Sequence, residues 1–413
     1  MMLAVGLALA APMLAASPAA ATFVQLGHKL IGTGAKGNAA QAYAVALSAD
    51  GNTMAVGSPY DNSDGGAVWI FIRKNNAWQQ QGGKLAPTSA SGAGAMRGAA
   101  VALSNNGNTL LVGAPSDNYG AGGAWIFTRS GSVWHQGPKI LGSGAAGAAG
   151  QGTGVALSSD GNTAIIGGPN DNSGIGAAWV FTRSGSQWKQ QGRKLVGSHV
   201  VGYGPQQGTS VALSSNGNTA IVGGPNDGKY DLQGAVWVFT RANSVWRYQA
   251  KLVAKGVTSG CCAGLGTSVA LSANGNTAIV GGPDDPAGGA AWVFTRAGTA
   301  WTQQGNKLAG TGVTGSSAWQ GQSVALSANG NIAVVGGDQD NKGNVGAAWV
   351  FTRSGAVWKQ SGKKLVGSGY VFVPPVGIFE GHSVAMSATG TTLVLGGYGD
   401  RKLGGASWVF ISK

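Results

Sequence analysis

A single motif returns seven times along this chain. Val-Ala-Leu-Ser begins at Val45, Val101, Val155, Val211, Val269 and Val324, and comes back as Val-Ala-Met-Ser at Val384. Successive copies are 56, 54, 56, 58, 55 and 60 residues apart. Such a period means one small unit repeated, each copy burying its apolar face against its neighbours.

Composition decides what the unit is made of. Of 413 residues, 75 are Gly and one, Glu380, is Glu. Gly costs about 1 kcal/mol against Ala inside a helix, so a helical repeat is excluded. With 43% hydrophobic residues, 10% charged residues and 14 Trp, the chain can fill a core, which excludes disorder. Each unit then predicts four strands. In the fifth unit these are residues 267–272, 277–281, 290–296 and 301–308, and Asn274-Gly275 supplies the positive φ of the first hairpin. Two Trp stand nine apart in the third and fourth strands of all six complete hairpins, as at Trp125 and Trp134. A two-residue turn at Ser130-Gly131 would set Trp134 opposite Phe127, on one face with Trp125.

Seven such units predict an all-β fold, a seven-bladed β-propeller of four-stranded antiparallel blades over residues 22–413. The seventh unit stops at Lys413 after its third strand. Phe23 lies six residues before Lys29, as Trp78 lies before Lys84 and Trp358 before Lys364. The N-terminal segment is therefore expected to complete the last blade, closing the ring and removing both open edges.

Residues 1–21 are apolar and end in Ala19-Ala20-Ala21, so they read as a secretory signal peptide, and a secreted, periplasmic or cell-surface location is expected. Pro12 and Pro18 argue against a transmembrane span. The net charge of +13 suits an anionic partner or solubility alone. The two cysteines, Cys261 and Cys262, are adjacent. Their Cα atoms would lie about 3.8 Å apart, too close for an unstrained disulfide, so free thiols are expected and a vicinal disulfide stays open.

The repeat resembles the FG-GAP repeat of bacterial exported proteins and is distantly similar to the β-propeller of integrin α subunits. The resemblance is carried by Gly-x-Ser-Val-Ala, by Gly113-Ala114-Pro115 and its Gly-Gly-Pro counterparts, and by runs such as Trp179-Val180-Phe181. It implies the same propeller and a binding or adhesion role. It departs where Gln151, Gln207 and Gln320 replace the Phe of the Phe-Gly pair. The turn between strands one and two holds one carboxylate, Asp50, in blade one and none in blade five. Calcium wants six to eight oxygens with several carboxylates, so calcium is not carried over and no metal or cofactor is expected.

Three sets of residues are candidates for function. Asp61, Asp117, Asp171, Asp227, Asp285, Asp340 and Asp400 lie 16 residues after each blade's Val. Seven equal copies suit a turn aspartate that binds backbone N–H groups better than a single ligand site. Arg73, Arg129, Arg183, Arg241, Arg296, Arg353 and Lys413 are expected to close strand three, and Lys29, Lys84, Lys139, Lys194, Lys251, Lys307 and Lys364 to end strand four. Both rings read as solvated edge charge, with polyanion contact as the alternative. The third set breaks the repeat, in the loops from strand four to the next blade: His199, Tyr203, Cys261, Cys262, Trp319, Tyr370, Phe372, Phe379, Glu380 and His382. Loops carry function more often than scaffolds do. These residues form either a ligand-binding arc or an apolar lid on the channel.

Catalysis finds little support. Glu380 and His382 could exchange protons, but the sequence offers no second isolated carboxylate nearby, no Ser elbow and no phosphate loop. The expectation is a monomeric, non-enzymatic binding or adhesion-type module that recognises a glycan or protein surface, without specific nucleic acid. A hydrolase or lyase at the same face is the first alternative, and a structural envelope protein binding anionic polymer the second.

Overall fold

Phe23, Val24 and Gln25 complete the architecture. The computed structural model describes residues 22–88, 94–229, 232–258, 262–315 and 317–413. In it Phe23–Gln25 pairs antiparallel with Ala406–Ser412, placing Phe23 opposite Ser412 and Gln25 opposite Phe410. This strand is the outer edge of a sheet that continues through Thr392–Gly397 to Ser383–Met386. Six further four-stranded antiparallel sheets among the described residues run in plain chain order from the axis outward. Innermost strands of successive blades adjoin all the way round, blade seven against blade one included. The fold is a seven-bladed β-propeller closed by its N-terminal strand. The expected signal peptide, residues 1–21, lies outside the described residues.

Two devices hold the ring. At the lower end, where strand one turns into strand two, a backbone N–H of each blade donates to the next. The bonds run from Ala49 to Asn105, Ser159, Ser215, Ala273, Ala328, Ala388 and back to Ala49, at 2.8–3.0 Å. Leu47, Leu157, Leu213, Leu271, Leu326 and Met386 fill the channel above this collar, leaving a cavity of about 170 Å³. Between blades the core is built on strand-three tryptophans. Trp69, Trp125, Trp179, Trp237, Trp292, Trp349 and Trp408 are fully buried, each against the preceding blade. A Trp buries about 150–250 Å², on the order of 5 kcal/mol of transfer free energy.

Local geometry corrects several expectations. Strand four is shorter than expected in blade five: it spans Ala300–Gln303, and Leu308 rejoins strand three only as an isolated bridge to Ala291. The interruption falls at Gly305, whose φ of +73° starts a bulge. Blades two and four have one residue fewer between Trp and Lys, and their fourth strands, Val133–Ile140 and Val245–Leu252, run on around a single register shift. Trp134 lies opposite Arg129, not Phe127, because the two-residue turn is Gly131-Ser132. Ser412, not Lys413, takes the strand-three position that Arg holds in the other blades, since its N–H donates to Thr391 as that of Arg353 does to Asn331. Cys262 is disulfide-bonded rather than a free thiol, and Cys261 lies outside the described residues.

Candidate functional site

The upper face carries the strand-two-to-three loops and the connections between blades, and its repeat aspartates and lysines pair off. All seven repeat aspartates are buried, and each forms an ion pair with the strand-four lysine of its own blade. Lys29 Nζ lies 2.6 Å from Asp400 Oδ2, and Lys364 Nζ 2.5 Å from Asp340 Oδ2. The second aspartate oxygen accepts an N–H from the neighbouring connection, as from Val371 to Asp400 and Ala146 to Asp171. Asp61, Asp171, Asp227, Asp285, Asp340 and Asp400 thus each fasten the neighbouring connection as well as the lysine. The lysines are not solvated edge charge, because the sequence rings of Asp and Lys meet in space. On the lower face the arginines are also engaged. Arg129 Nε donates to Asn108, and its guanidinium lies 5.4 Å from the Trp134 ring centre.

With those charges neutralised, the upper mouth of the channel is a bowl of about 410 Å³ with a neutral polar rim. Tyr43, Ala99, Thr153, Thr209, Thr267, Gln322 and His382 occupy one repeat position around it. Threonine fills one side. On the other, His382 Nδ1 sits 2.9 Å from Asp338 Oδ2, and the imidazole is packed 4.7 Å from both Tyr43 and Tyr398. Tyr60 stands edge-on to Tyr43, and Phe379 stacks on Tyr398 at 4.8 Å. Rings this close leave no room for a guest between them, so the cluster is a wall of the bowl.

Burial, with the Asp338 charge and the neighbouring phenols, pushes Tyr43 and Tyr398 above the ordinary tyrosine range. Both stay protonated, and therefore able to donate, at neutral pH. Asp338 is itself buried, and its Oδ1 has no hydrogen-bond partner within the protein.

The structure sorts the sequence candidates. Phe379 and His382 join this wall. Glu380 does not: it is fully buried and turned into the blade six–seven junction, because it occupies the position of Gln41, Gln151, Gln207 and Gln320. Tyr370 and Phe372 are exposed at the tip of the longest connection, with Phe372 against Gly343 of blade six. Trp319 is 41% exposed on the blade five–six connection, and Tyr203 is 93% exposed on the blade three–four connection beside His199. Cys262 lies partly buried on the blade four–five connection.

Tyr43, Tyr60, Asp338 and Tyr398 sit at repeat positions and not in the irregular loops, so loop irregularity does not point to them. A signal existed. Asp338 and Tyr398 stand where blades one to five have Pro59, Pro115, Pro169, Pro225 and Pro283. His382 also has a carboxylate partner, Asp338, that lies 44 positions away in the sequence. Among the described residues no group of three or more His, Cys, Asp or Glu is placed to hold a metal ion. No helix there is long and apolar enough to cross a membrane.

No family model and no curated protein matches the sequence. Among solved structures, Kuenenia stuttgartiensis hydrazine synthase is similar over 89% of this chain and 96% of its own, with a TM-score of 0.54 and 15% identity. A likeness at that identity concerns the fold, and the fold it shares is the β-propeller.

Proposed function

We propose that this protein is an exported, non-enzymatic binding module of the FG-GAP type that recognises a glycan through its upper face. One observation carries the reading: the upper face combines a neutral, hydroxyl-lined bowl with exposed aromatic side chains. Tyr119, Tyr203, Trp319, Tyr370 and Phe372 stand exposed there, whereas the large apolar side chains exposed at the lower hairpin turns are Val133, Val245 and Val357. Aromatic faces stack on the apolar faces of sugars, and Thr153, Thr209, Thr267 and Gln322 offer uncharged hydrogen bonds to hydroxyls. Anionic polymer is a weaker fit, because the seven repeat lysines of this face are already paired, which leaves it scattered exposed cations such as Lys36, Lys342, Arg401 and Lys402. Export rests on the Ala-rich residues 1–21, and the FG-GAP type on the repeated Gly-x-Ser-Val-Ala and Trp-Val-Phe runs.

Glycan-array binding of residues 22–413 at low and high salt tests the reading. Binding should survive high salt and be lost in Trp319→Gly and Tyr370→Ala. Binding that collapses with salt yet survives both substitutions would favour anionic polymer instead. Capture of an envelope protein without any glycan would favour a protein surface.

The Asp338–His382 pair favours a second reading, a hydrolase or lyase, since a carboxylate that orients an imidazole is the arrangement of a general base. Turnover of glycoside or ester substrates, lost in His382→Ala, would establish it.

A further inference from the structure

Four blade junctions close in one way. Gln41, Gln151, Gln207 and Gln320 each accept, through Oε1, the N–H of one glycine: Gly32, Gly142, Gly197 and Gly310. Each then donates its Nε2–H to the carbonyl of that same glycine, at 2.9–3.3 Å. Such a two-point contact needs one acceptor and one donor on the side chain. It presses the glycine flat against the next blade's tryptophan, where a Cβ on Gly32 would come within 2.2 Å of Trp69.

At the blade six–seven junction Glu380 stands in the glutamine's place. Its backbone bridges Gly346 as that of Gln320 bridges Gly289. Glu380 Oε2 accepts the Gly367 N–H at 2.6 Å, and Gly367 lies on Trp408 as the other glycines lie on their tryptophans. Glu380 Oε1 is buried with no partner. An ionised carboxylate only accepts, so it would turn a bare acceptor toward a site where the other junctions place a donor. A carboxylic acid has one donor and one acceptor, as the amide has.

We propose that Glu380 holds a proton in the folded protein, and that this proton is a latch fastening the connection of residues 367–380 onto blade seven. Burial pushes the carboxyl well above its ordinary range; the Gly367 N–H opposes this. The charged groups acting on it are Asp400 and Lys29, which form an ion pair in blade seven: Asp400 pushes upward and Lys29 pulls back. Further along the same junction, Asp338 is paired with His382. Loss of the proton leaves Glu380 with two acceptors where the other junctions hold one acceptor and one donor, and the connection bearing Tyr370, Phe372 and Phe379 loosens. The latch belongs to the junction and stands whether or not the upper face binds glycan.

Because Glu380 is the only glutamate, 13C labelling at the glutamate δ-carbon yields one carboxyl resonance. It should show the protonated shift at neutral pH and move only at higher pH. A carboxylate shift at neutral pH overturns the proposal. As a second measurement, Glu380→Gln keeps both contacts at every pH. A group with a raised folded pKa loses stability as pH rises above its unfolded value, about 4.3 for Glu. The Tm of the parent should therefore drop relative to that of Glu380→Gln from about pH 5 upward. Parallel Tm profiles for the two proteins would overturn the latch.

Discussion

Left-handed backbone recurs at the entry to the blades, and at one entry it holds a tryptophan. Ala40, Met96, Gln206, Trp319 and Phe379 have φ between +53° and +63°, where Gly150 and Gly264 serve two other blades. A non-glycine residue there costs on the order of 1 kcal/mol, so a large side chain at this position is retained against the backbone's preference. Trp319→Gly should relieve that strain while loosening the unfolded chain, leaving stability within about 1 kcal/mol of the parent in urea unfolding. A much larger loss would make the indole a structural prop. Tyr43 and Tyr398 give a second prediction at this scale. Their folded pKa values lie above the unfolded ones, so the folded state binds more protons at high pH. Their contribution is full below the ordinary tyrosine value of about 10 and is lost above it. Of the eight tyrosines, two should ionise late in an ultraviolet titration, and Asp338→Asn should bring them forward. Neither the wall of the bowl nor the burial of Glu380 could be read from loop irregularity, because both depend on which repeat position a residue occupies.

Strands were legible because their rules are local. Alternation, the Asn-Gly turns and the nine-residue Trp spacing placed each blade's hairpins to within a few residues. What failed was geometry between elements of one blade: the pairing of Asp117 with Lys139, and the stacking of Arg129 on Trp134, join residues 22 and 5 positions apart on different elements. The connections between blades are held instead by packing against the next blade's tryptophan. A Cβ on Gly197 would lie 1.9 Å from Trp237 Cδ1, with no flexible atom to yield. Gly197→Ala should therefore cost about 1–3 kcal/mol by overpacking, and more if Gln207 also lets go. Gly83→Ala is the control, since a Cβ there meets nothing within 4 Å and φ is ordinary. It should be neutral or stabilise by a few tenths to about 1 kcal/mol. Equal effects in thermal melts would separate the glycines' role from tryptophan packing. Asp171→Ala should cost about 1–3 kcal/mol, because it unpairs the Ala146 N–H and leaves Lys194, still partly in contact with solvent, without its partner.

Closure is the property of the whole ring, and it depends on a strand borrowed from the other end of the chain. Phe23–Gln25 covers the edge of Ala406–Ser412, Lys29 neutralises the buried Asp400, and Leu26 and Leu30 pack into the blade seven–one core. Removing residues 22–30 should expose a bare strand edge and an unpaired carboxylate, lowering Tm and promoting association. A peptide of those residues added in trans should reverse both. Rearranging the chain tests topology without removing anything. Ser412 pairs with Phe23, so joining Lys413 to Thr22 leaves two residues between the paired positions. Blade six has the same two-residue turn, Gly355-Ala356 between Ser354 and Val357, and Gly355 has φ +60°. A circular permutant that opens the exposed connection between Gly34 and Ala35, and replaces Lys413-Thr22 by Gly-Ser, gives blade seven four consecutive strands like the other six. It should melt within a few degrees of the parent and keep the backbone collar, read as protected Ala388 and Ala49 amides in hydrogen exchange. A permutant that fails to fold, or whose collar amides exchange freely, would show that the N-terminal strand does more than complete a blade.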